Sequence, residues 1–149
     1  MGDAGAAARS VHLSEQSFER IRPEDEPEWA RFIDVAYLNG EYAHAFRDLE
    51  RPREAAAFAK LSANDATRQN RARRASLAEA TMARAALYDH DLAAATAAGM
   101  KAVKLAATVK SSRSTGAVKD LRTRLEPHRN SPYVQDFFLR PDVLMPVLA

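Results

Sequence analysis

The stretch AFRDLERPREAAAFAKLS (residues 45–62) interrupts a helical pattern at Leu49-Glu50-Arg51-Pro52 and resumes it at once. Proline suits the first turn of a helix and disrupts its interior, so the interruption marks a boundary between two helices. Two other stretches end an apolar run in a similar way, Leu87-Tyr88-Asp89-His90 and Leu125-Glu126-Pro127-His128, each 38 positions after the last. Before the breaks, Tyr42/Ala45/Leu49, Ala80/Ala83/Leu87 and Val118/Leu121/Leu125 form stripes at i, i+3, i+7. After them, Ala55 and Ala59 correspond to Ala93 and Ala97, small residues that let paired helices approach closely. A fixed period of this size predicts stacked helical hairpins.

Composition agrees. Hydrophobic residues make up 46% of the 149, enough for one folded domain. Five glycines, abundant alanine and no period-two alternation favour helix over sheet. The absence of cysteine excludes disulfides, thiolate metal sites and cysteine nucleophiles. No apolar run reaches the roughly 18–20 residues of a membrane span, and MGDAGAAARS lacks the apolar core of a signal peptide. The expectation is a cytoplasmic protein without a membrane partner.

Local signals set the expected boundaries. Asp25 or Glu26 would cap a helix over 28–48 with Pro27 in its first turn, and Asn64 or Asp65 would cap the next. Further breaks are expected at Asp89–Asp91 and around Ser111–Gly116, and Ser131 would cap a closing helix from Pro132. The predicted fold is all-α: one domain, 1–149, of about three antiparallel hairpins in an α-solenoid. Residues 1–27 would be the remnant of a preceding repeat, 28–64 and 65–110 two repeats, 113–140 the final repeat and 141–149 a capping tail. On the helix over 28–48, apolar stripes run through Trp29, Phe32/Ile33, Ala36, Gly40, Ala43 and through Val35, Leu38, Tyr42, Ala45, Leu49. The line left over is Asp34, Tyr37, Glu41, His44, Asp48, the expected exposed face.

The run A-x-x-x-L-E-R-P-R-E-A-A-A-F-A resembles a tetratricopeptide-type hairpin, with Glu50 and Tyr88 where that family carries its turn glycine. From about Phe18 to Leu139 the chain resembles the C-terminal repeat region of bacterial XRE-type helix-turn-helix transcriptional regulators. The resemblance is carried by PEWARFIDVAYLNGEYAHAFRDLERPREAA, HDLAAATAAGMKAVKLAATVKSSR and DLRTRLEPHRNSPYVQDFF. It implies a tetratricopeptide-like fold and a regulatory role. No DNA-binding helix-turn-helix precedes the repeats in this sequence.

Residues that could carry chemistry are few. His12, His44, His90 and His128 lack the second histidine at i+3 or i+4 that a helical zinc site uses, so no metal site is expected. The pairs Asp89/Asp91 and Glu24–Glu26 stand at helix starts, where carboxylates complement the dipole. The serines of SSRSTGAVK have neither a nucleophile elbow nor the glycine spacing of a phosphate loop. No catalytic residue and no cofactor is expected.

Two surfaces remain. Residues 1–66 carry 8 basic and 13 acidic side chains, residues 67–149 carry 14 and 7. Such asymmetry marks either a solvated surface, two parts that attract each other, or an anionic partner. Arg68, Arg71, Arg73, Arg74, Lys119, Arg122 and Arg124 are the candidate nucleic-acid contacts. The stronger expectation is a concave groove holding a protein or peptide. It would be lined by Asp34, Tyr37, Glu41, His44 and Arg47, with Arg71, Ala75, Glu79 and Met82 brought beside them by the 38-residue period. Arg47 and Arg71 would clamp a carboxylate. The apolar tail FFLRPDVLMPVLA either caps the last repeat or forms a homodimer contact, so structural self-assembly is a further alternative.

Overall fold

The structure, a computed structural model, describes residues 3–22 and 24–139. Among these it is all-helical, with seven helices: α1 (Ala4–Glu19), α2 (Val35–Asp48), α3 (Pro52–Arg68), α4 (Ala72–Tyr88), α5 (Leu92–Ala106), α6 (Ser112–Leu125) and α7 (Pro132–Leu139). Single 3₁₀ turns occupy Glu28–Ala30 and Glu126–His128. No helix among the described residues is long and apolar enough to cross a membrane. The expected capping tail, 141–149, lies outside the described residues.

Three tight turns organise the chain. Glu50, Asn70 and His90 have φ of 57°, 54° and 59°, the left-handed conformation that ends a helix. Each turn makes the same pair of bonds. Glu50 N–H donates to Arg47 O and Arg51 N–H to Phe46 O; Asn70 and Arg71 repeat this on Thr67 and Ala66, His90 and Asp91 on Leu87 and Ala86. The last carbonyls of α2, α3 and α4 are satisfied by this motif, and α2 to α5 fold back on one another in sequence, each against the next.

The turns stand 20 residues apart, so equivalent points of successive helix pairs are 40 apart, not the expected 38. Burial follows the 40-residue register: Ala36/Ser76, Asn39/Glu79, Ala43/Ala83, Ala55/Ala95 and Ala63/Val103 are all buried. So do hydrogen bonds. Ser62 Oγ donates to Ala36 O at 2.8 Å, and Ser76 Oγ to Ala102 O at 3.0 Å. These are the same two positions with donor and acceptor exchanged. Ala45 is exposed while Ala83 is fully buried, so the 38-residue correspondence pairs unlike environments.

Two helix starts also differ from expectation. The helix over 28–48 begins at Val35, because extended Asp34 accepts the Tyr37 N–H at 2.9 Å and caps it. Trp29 and Phe32 consequently lie outside α2, 75% and 54% exposed, and not in a buried stripe. Asn64 and Asp65 cap nothing: α3 runs through them to Arg68, and the chain turns at Asn70. The helix boundary expected at Asn64–Asp65 falls instead at that turn. The breaks at Asp89–Asp91 and before Pro132 fall where the sequence puts them. Around Ser111–Gly116 only Ser111 is a cap, and Gly116 lies inside α6.

The core has two parts. Between α2, α3 and α4 it is lined by Ala43, Ala59, Ala63 and Ala78, with Phe58 and Met82 packed on it. Phe58 stacks on Phe46 and meets Tyr42 edge-on. The larger part joins α4 to α7 through Val103, Val118, Leu121, Leu125, Val134, Phe137 and Phe138. Gly99 permits that closeness, since a Cβ there would lie 2.8 Å from Leu121 and 3.2 Å from Phe137. By contrast α1 has no buried residue and reaches α2 through Tyr42 Oη, which donates to Ser14 Oγ at 2.7 Å.

Candidate binding groove

The line Asp34, Tyr37, Glu41, His44, Asp48 meets α4 along much of its length. At its start α4 closes over it. Arg71 pairs with Asp34 at 2.9 Å, and the Arg74 guanidinium lies 4.3 Å from the centre of the Tyr37 ring. Gly40 leaves room for that guanidinium, which sits only 2.6 Å from where a Cβ would be. The acidic first half and the basic start of α4 thus attract each other within the molecule.

Farther along, the helices part. A groove of about 520 Å³ opens between α2, α4 and α6, lined by Glu41, His44, Arg47 and Asp48, by Leu77, Ala80, Thr81 and Arg84, and by Arg113, Ala117 and Asp120. It continues into a second space of about 470 Å³ through the shared residues Arg47, Thr81 and Arg84. Glu50, Leu87, Tyr88, Arg124 and His128 line that end.

Of the residues expected in the groove, Glu41, His44 and Arg47 are there. Asp34, Tyr37 and Arg71 belong to the closed contact above it. The other three expected residues are elsewhere. Ala75 and Glu79 are buried at 1% and 9% exposure, and Met82 packs on the alanine cluster. In the 40-residue register the neighbours of Tyr37, Glu41 and His44 are Leu77, Thr81 and Arg84, two residues on from those expected. Adding 40 again gives Ala117 beside Leu77, Asp120 beside Ala80 and Arg124 beside Arg84; Asp48, Tyr88 and His128 form another such set. The correct period would have found these residues in the sequence.

The electrostatics are dense. Arg124 Nε donates to Asp120 at 2.8 Å, and Arg84 lies 3.7 Å from the same oxygen. Arg47 pairs with Asp48 at 2.7 Å and reaches His44 Nδ1 at 3.0 Å. A guanidinium only donates, so Nδ1 accepts and His44 is neutral in this arrangement. Burial, and after it the Arg47 charge, hold His44 below the ordinary histidine range. Burial and the nearby Arg124 likewise lower Arg84, against the opposing pull of Asp120.

The candidate nucleic-acid contacts are scattered. Arg68 pairs with Asp65, Arg71 with Asp34, Arg74 with Glu41, and Arg124 with Asp120 in the groove. Arg73 and Lys119 are exposed, and Arg122 is half-buried. The histidines are dispersed too: His90 is the left-handed turn residue, and His12 bonds Gln16 on α1.

No protein-family model matches the chain, and neither curated proteins nor solved structures give a significant match.

Proposed function

We propose that the chain is a non-catalytic interaction module: a tetratricopeptide-like stack of about three helical hairpins that holds a protein or peptide partner in the groove across α2, α4 and α6. The observation that carries this reading is the lining itself. Positions 77/117, 80/120, 44/84/124 and 48/88/128 all fall on one continuous surface. Recurrent positions on successive helices, with neighbouring contacts throughout, are how helical repeats build an extended binding face. The resemblance to XRE-type regulators supports a role in transcription regulation, carried out in the cytoplasm. Direct nucleic-acid binding is the second reading; pairing of Arg68, Arg71, Arg74 and Arg124 with acids of the same chain argues against it.

A photo-crosslinking residue at Ala117, in the groove, tests the function against one at Lys60, on α3 outside it. A partner captured from position 117 and not from 60 is the expected result. Capture from both alike, or from neither, would count against a groove-binding module.

A further inference from the structure

The groove carries a ladder of basic positions. His44 on α2, Arg84 on α4 and Arg124 on α6 are 40 residues apart, and each lines it. Asp120 is the carboxylate that both Arg84 and Arg124 share, at 3.7 and 2.8 Å. A guanidinium has five N–H donors in a planar fork, so a single shared carboxylate leaves donors on both rungs free. Arg113, at the groove edge, makes no ion pair among the described residues. Between the charges, Leu77, Ala80 and Ala117 offer apolar contact.

The occupant must suit mixed chemistry. Glu41, Asp48, Glu50 and Asp120 interleave with the arginines, so a nucleic-acid backbone, charged at every step, would meet repulsion along with attraction. A peptide can place carboxylates only where the guanidiniums are. The Arg84 and Arg124 atoms that reach Asp120 lie 3.7 and 2.8 Å from one of its oxygens and so stand no more than about 6.5 Å apart, while an extended chain advances about 3.3 Å per residue and turns alternate side chains to one face. Arg84 and Arg124 are then met by side chains two residues apart.

We propose, building on the groove reading above, that the occupant is an extended acidic peptide segment whose carboxylates pair with Arg84 and Arg124, two residues apart along it. The two arginines set the register, and Leu77, Ala80 and Ala117 take the flanking side chains that face the groove.

Selection from a random ten-residue peptide library displayed on phage, against the whole chain, tests this. Enrichment of Asp or Glu at i and i+2 is expected. Arg84→Gln and Arg124→Gln should each weaken the selected peptides roughly tenfold, with affinity falling as salt rises. Arg113→Glu breaks no ion pair seen in the structure and so preserves the fold; it should weaken them severalfold. Selected peptides without carboxylates, or acidic ones indifferent to all three substitutions, would overturn the acidic assignment and leave the groove reading standing. A library that yields no binder would overturn both. A labelled single-stranded oligonucleotide bound with the same arginine dependence would reassign the ladder to nucleic acid.

Discussion

Glu79 sits in α4 with Oε2 buried and without a hydrogen-bond partner, while Lys101 approaches Oε1 at 3.9 Å. Burial raises its pKa, so the folded protein binds this proton more readily than the unfolded chain does. Wild-type stability therefore gains as pH falls through that raised value. Glu79→Gln should be about 1 kcal/mol more stable than wild type at neutral pH, the gap closing toward the ordinary value of 4.5. His44 titrates with the opposite sign. Arg47, Glu41, Asp48 and Arg113 act on it, and Arg84 and Asp120 share its groove. Its folded pKa is lowered, so the unfolded chain takes the proton first, near 6.5, and stability falls as pH drops below that value. Urea unfolding at about pH 7.5 and pH 5.5 should show a slope that His44→Gln reduces. The candidate residues Glu41 and His44 were legible because α2 presents a single polar line, with Arg47 beside it. The burial of Glu79 was not, since a lone glutamate in an alanine-rich helix gives no sign of which side it faces.

Among the elements, the turns are the most regular feature and the least visible in sequence. A left-handed residue at a helix end is usually glycine, and here Glu50, Asn70 and His90 take the conformation instead. That conformation costs an ordinary residue about 1–2 kcal/mol, and asparagine less. Glu50→Gly and His90→Gly should each raise unfolding free energy by about 1 kcal/mol, Asn70→Gly by a smaller amount. Without the glycines, the turns had to be found from apolar matches. Alanine-rich helices supply such matches at many offsets, which is how a period of 38 could stand in for 40. Pro52 and Pro132, whose placement is stereochemically restricted, mark helix starts correctly. Glycine acts differently inside the helices. Gly99→Ala would press on Leu121 and Phe137 and should cost roughly 1–3 kcal/mol, whereas Gly116→Ala meets nothing within 4 Å and should gain up to about 1 kcal/mol. Thermal melts of the two variants should therefore move in opposite directions.

Across the molecule, apolar mass is unevenly distributed. Large side chains gather where α5, α6 and α7 meet, alanines line the core between α2 and α4, and α1 buries nothing. Local opening follows buried contact, so hydrogen exchange should be fastest in α1 and slowest in the helices around Leu121 and Phe137. Uniform protection along the chain would contradict this. The all-α class was legible because helical periodicity and the absence of alternation extend over every segment. The groove's far side was not: Arg84, Arg113 and Asp120 become neighbours of α2 only through the register of whole helices.

The exchanged serine bonds have a consequence for chain length. Ser62 reaches Ala36, and Ser76 reaches Ala102, so a contact at one point of the helix pair survives whichever side supplies the hydroxyl. The turns at Glu50 and His90 close with identical bonds. A second copy of residues 51–90, spliced in directly after His90, would find a matching turn at each junction and a hydroxyl ready at the same station. Such a chain should fold with 40 additional residues and lengthen its groove by one rung, a molecular ruler extended by a graduation.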